Sequence, residues 1–212
     1  MITRGARTPT LLAAAIVGAA LTVSACIPPR PSPSATPAPP PTPTAPVATP
    51  AAPTSSASTG VAVDPSLLDV LPDQVTGVPI SPDLETAAEI ADEGSIAPFV
   101  SAIALATAFG PPATDALTDY VVVTVARLRP GTFSDVFFRG WRDTFDAGVC
   151  EQAGGVDGHA ESDIGAHHAY IGTCAGGVHT YHVHLPAKDV IVSMQGTGSG
   201  GWAEKIVADL TE

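Results

Sequence analysis

Asparagine is absent from the 212 residues, and lysine occurs only at Lys188 and Lys205. Without asparagine there is no acceptor for an N-linked glycan. The scarcity of lysine beside abundant Ala, Gly, Pro and Arg fits a GC-rich bacterial genome. The first 60 residues hold no acid and only three of the nine bases, Arg4, Arg7 and Arg30. Residues 61–212 therefore carry 21 acids against 6 bases and stand at −15. A surface of that sign repels nucleic acid and anionic lipid, so nucleic acid is not an expected partner. No P-loop lysine follows the glycines of Gly196–Gly201, which read as a turn with Ser199 capping the last helix, and no GxSxG frame or CxxC pair is present. All eleven aromatics fall between Phe99 and Trp202. One domain, long enough to bury a core, is expected over residues 61–212.

The N-terminus is of a different kind. Arg4 and Arg7 precede an apolar run of thirteen residues, Leu11–Val23. That is a secretory n-region and h-region, too short for a membrane span of roughly 20 residues. Val23-Ser24-Ala25-Cys26 follows. These four residues resemble the lipobox of bacterial lipoproteins. The resemblance implies that a signal peptide, residues 1–25, is removed, that the Cys26 thiol receives a diacylglycerol, and that the new N-terminus is acylated. The partner so implied is the cell membrane, reached through the lipid anchor from its extracytoplasmic face. An ordinary signal peptide with a chance cysteine is the alternative. Between Ile27 and Gly60 lie twelve prolines among Ala, Ser and Thr, with Arg30 the single charge. Residues 26–60 are thus expected to be a solvated Pro-rich tether, largely polyproline II; a PxxP ligand is the functional alternative.

Within the domain, Ser81-Pro82-Asp83 is a helix start, with Ser81 as cap and Gly94 as stop. Ser101–Phe109 and Tyr120–Leu128 (YVVVTVARL) are strands, the second dense in β-branched residues. A helix from Phe133 to about Asp146 follows, with a capping box at Thr132 and Asp135. Phe137, Trp141 and Phe145 lie along it at i, i+4 and i+8, a spacing that reads as core against a sheet rather than as a ligand platform. Four extended runs, His159–Ile164, Ala169–Cys174, His179–Leu185 and Val190–Met194, precede a closing helix from Trp202 to Leu210. The expected fold is α+β, an antiparallel sheet with helices packed on it in the order (α)ββαββββα. This order resembles that of the PsbP-like fold of secreted and lipid-anchored proteins. The likeness implies a carrier or accessory module more than an enzyme.

If Cys26 takes lipid, Cys150 and Cys174 remain as a pair in an oxidising compartment and are expected to form a disulfide. All six histidines lie within His159–His184. In a strand His182 and His184 share a face, as do His159, Glu161 and Asp163, and in a meander both rows flank the middle strand. His182 and His184, with Glu161, His168 and His159 as further donors, thus offer a Zn²⁺ or Cu²⁺ site. The plainer alternative is a solvated outer face where histidines mix with carboxylates, with no cofactor. The expected function is a non-enzymatic, lipid-anchored extracytoplasmic domain with an unspecified protein or small-molecule partner; a divalent-metal-binding lipoprotein is the runner-up, and a hydrolase ranks third.

Overall fold

The structure, a computed structural model, describes residues 60–112 and 118–212. The signal sequence, Cys26 and the Pro-rich segment lie outside the described residues. In chain order the elements are β1 (Ala62–Val63), a 3₁₀ helix (Pro65–Val70), β2 (Gln74–Val75), β3 (Val78–Pro79), β4 (Ser81–Pro82), α1 (Leu84–Asp92), β5 (Val100–Phe109) and β6 (Tyr120–Leu128). Then come α2 (Asp135–Glu151), β7 (Val156–Ile164), β8 (His167–Cys174), β9 (His179–Leu185), β10 (Val190–Thr197) and α3 (Trp202–Ala208). The fold is α+β, and its long elements follow the order read from the sequence.

One sheet runs β1-β5-β6-β10-β9-β8-β7, with β4 also beside β5. The long strands pair antiparallel, while the two-residue β1 lies parallel to β5. After β6 the chain crosses through α2 to the far edge and returns as the meander β7–β10, so β10 docks beside β6. Both faces of the central strands are covered, which is why β5 and β6 read as nearly continuous apolar runs. One face holds Val121, Val123, Val125, Val183, Leu185, Val192 and Met194 beneath the 3₁₀ helix and α3. The other carries Ala126, Leu128 and Ile191 under α2, with Ile103 and Leu105 near α1.

Local chemistry sets the helix ends, and three caps differ from expectation. Asp83, not Ser81, caps α1, accepting from the Thr86 amide at 3.2 Å. Ser81 and Pro82 instead pair with Thr107 and Ala106 of β5. Ser134 caps α2 in place of Thr132, accepting from the Phe137 amide at 3.1 Å. Before α3, Gly201 adopts the left-handed conformation without a side-chain cap, and Ser199 makes none. There Asp119, beside β6, accepts from the Gly200 amide at 2.7 Å and holds the glycine turn. A disulfide joins Cys150, at the end of α2, to Cys174, at the end of β8, with Cα atoms 5.1 Å apart.

Candidate functional site

The disulfide fixes which side of α2 meets the sheet. Counting back from Cys150 by fours gives Asp146, Arg142 and Phe138. Phe138, Asp146 and Cys150 are buried, and the Arg142 side chain is 13% exposed. Phe137, Trp141 and Phe145 stand one residue aside and are only half-buried. Phe137 and Trp141 pack against the cluster of Val100, Ala126, Leu128, Phe138 and Ile191, as the spacing implies, but stay partly exposed, and the most buried row of α2 also carries Arg142 and Asp146.

Asp146, 0% exposed, enters the sheet over Gly172. Gly172 pairs with His159 on one side and Thr180 on the other, and a side chain there would strike Asp146 and Thr180. Asp146 Oδ1 accepts from His182 Nε2 at 2.8 Å and from Thr180 Oγ1 at 2.5 Å. Its Oδ2 lies 3.1 Å from Nε2 of His159, whose side chain is 43% exposed. Burial alone would raise the Asp146 carboxyl, but the hydrogen bonds donated by His182 and Thr180 outweigh it and hold the carboxyl below the usual range. On the far side of His182, Nδ1 lies 3.0 Å from Ser193 Oγ, which accepts from Trp141 Nε1 at 2.9 Å. The directions close: Trp141 N–H to Ser193, Ser193 O–H to His182 Nδ1, and His182 Nε2–H to Asp146.

Ser193, His182 and Asp146 thus contact one another in the order of a nucleophile, a base and its orienting acid. Ser193 is 1% exposed and His182 and Asp146 are 0% exposed, so no substrate reaches the hydroxyl in this conformation. The network satisfies buried polar groups, each of which would be costly to leave unpaired.

The histidine rows do share one face, flanking β8. The solvated-face alternative fails for His182, because α2 covers it. His184 stacks on Phe133, with ring centroids 3.6 Å apart, and burial lowers its imidazole despite the partial counter-effect of Asp189. Its buried Nε2 lies 3.9 Å from Asp189 Oδ1, beyond hydrogen-bond distance, and has no hydrogen-bond partner among the described residues. Glu161 and His168 come together at the exposed edge, with Oε2 and Nε2 3.6 Å apart. His168 also bonds to Asp163 at 2.8 Å, which raises its imidazole. Both nitrogens of His182 are engaged by Asp146 and Ser193, away from that edge pair. Among the described residues, no group of three or more His, Cys, Asp or Glu side chains is arranged to hold a metal ion.

Beside this network lies an open groove of about 490 Å³. One wall is the outer row of α2, Val136, Phe137, Trp141 and Phe145, with Gly140 and Thr144 between; the other is Ser95, Ile96 and Phe99 from the α1–β5 connection. The Phe99 and Phe137 rings are 5.3 Å apart. Val136 is 83% exposed and Phe99 44%, the kind of apolar exposure that marks binding sites. Ser95 and Thr144 supply the polar groups, and among the described residues no His, Cys or charged side chain lines the groove. Sequence reasoning missed Asp146, Ser193 and the groove; the signal for Asp146 was its fourfold spacing from Cys150.

Comparison with models of known protein families, with curated proteins and with solved structures gives no match for this chain. The PsbP-like likeness accordingly rests on element order alone.

Proposed function

We propose that this chain is a lipid-anchored protein on the extracytoplasmic face of the bacterial cell membrane, whose domain binds a partner molecule in the aromatic groove and performs no chemistry on it. The Val23–Cys26 signature supports the anchor, and the disulfide fits an oxidising compartment. The observation that carries the binding reading is the groove itself. Concave, mostly apolar sites with a few polar groups are the usual form of small-molecule sites, and this one sits on a helix whose core face is locked by a disulfide and a buried carboxylate. Among the described residues its lining holds no base, thiol or carboxylate.

The test uses the chain from residue 26 onward, carrying Cys26→Ser and secreted with a heterologous signal. Nile red, neutral and fluorescent in apolar surroundings, should bind saturably. Val136→Asp, at an 83% exposed position, should weaken binding at least tenfold and leave the melting temperature unchanged. Non-saturable binding, or equal binding by the variant, removes the groove as the functional site.

A further inference from the structure

Among the described residues that line the groove, Gly140 alone has no side chain, and we infer that the space above it seats an uncharged, lipid-like small molecule. The inference rests on the reading of the groove as the binding site and names what it binds. Gly140 lies in the interior of α2, where a Cβ would meet nothing within 4 Å. No packing neighbour therefore requires glycine there, and glycine is the poorest helix former after proline. What its missing side chain preserves is the open volume of the groove.

Charge sets the class of occupant. Thr144 Oγ1, one of the few polar atoms in the lining, is turned back to donate to the Gly140 carbonyl at 2.8 Å. On the same helix, Arg139 stands one turn from the exposed Asp135, and Asp143 lies 3.5 Å from Arg142, so each of these bases has an acid beside it. With residues 61–212 at −15, a carboxylate or phosphate headgroup meets repulsion. The same field would attract a cationic head, but among the described residues no carboxylate lines the groove to pair with it, and the uncharged lining fits a neutral apolar molecule. The nine described residues that line the groove are fewer than the roughly 20–30 a side of a stable protein–protein interface, a size that fits a small molecule. The site is also preformed. Trp141 is held by its bond to Ser193, and Phe137 is braced against Phe99 and Trp141.

Three ligands with one acyl chain and different heads decide the matter: monomyristoylglycerol (neutral), myristate (anionic) and tetradecyltrimethylammonium (cationic), each displacing Nile red below its micellar concentration. The neutral ligand should bind at least tenfold more tightly than either charged one. Gly140→Leu should abolish its binding while the melting temperature stays level or rises by a few degrees, since leucine favours the helix and meets no clash. Gly140→Ala should keep the fold and weaken binding less. A charged homologue binding as tightly as the neutral one overturns the inference while leaving the groove as a site. So does unchanged binding in Gly140→Leu, or a dimer that Gly140→Leu dissociates. If wild type fails to bind Nile red saturably, the groove reading itself falls.

Discussion

Asp146 makes three contacts inside the protein and none with solvent, so its removal should be felt throughout the sheet. Asp146→Ala leaves His182 and Thr180 buried without their acceptor. Breaking one side of such a pair costs about 3–5 kcal/mol, and the midpoint of urea unfolding should fall accordingly. Ser193→Ala strands Trp141 Nε1 and His182 Nδ1 and should cost about 1–3 kcal/mol. The pH dependence divides in the same way. With its folded value depressed, Asp146 contributes stability that is full above its ordinary 3.8 and lost as pH falls through that lower value. His184 is also depressed, so its contribution is full above 6.5 and disappears as acid forces a proton onto a ring stacked against Phe133. His168 is raised and acts oppositely: its contribution is full below 6.5 and lost as pH rises through the folded value. Unfolding free energy measured from pH 7 to pH 5 should therefore fall less in His184→Gln than in wild type, and more in His168→Gln. Parallel slopes in all three would refute these assignments.

At the scale of elements, α2 is held by the disulfide at one end and by Phe138 near the other. Replacing Cys150 and Cys174 with alanine together reopens the 24-residue separation and should cost about 3 kcal/mol. For a domain of this size that is roughly 6–12 °C in melting temperature, with the far-ultraviolet spectrum retained. Unfolding at ordinary temperature would show that the apolar clusters do not suffice without the bridge. The strands were legible because burial on both faces demands β-branched runs, as in YVVVTVARL, and because short glycine turns signal hairpins. The cysteine pairing was legible by elimination. The burial of Asp146 was not, because hydrophobic periodicity places the aromatic row against the core but has no means of recognising a buried carboxylate. Only the register between Cys150 and Asp146, combined with the cysteine pairing, carries that information. The caps failed for a related reason: Ser81 and Asp83 are both good cap residues, and the pairing of Ser81 with Thr107 in β5 decides between them.

For the whole molecule, the N-terminal signature predicts a mature chain that begins at a lipidated Cys26. Intact-mass analysis of membrane-extracted protein should show the diacylglycerol adduct. Cys26→Ser should release the chain or leave it as precursor, whereas an unmodified cysteine or another cleavage site would defeat the anchor.

Placing β10 beside β6 has a kinetic consequence. Val190 must find Arg127 across the whole of α2 and three strands, so the central seam closes late, after a long search. The Cys150–Cys174 link lies wholly inside that excursion and short-circuits part of it. Loop-closure entropy grows with the logarithm of contour length, so an unfolded chain with the link intact should refold roughly twofold faster than a reduced one. Stopped-flow refolding of the two forms compares them directly, and equal rates would mean that the seam is not the slow step. On the proposed extracytoplasmic reading, the bond would serve the chain in its first moments outside the membrane, when β6 and β10 have not yet met.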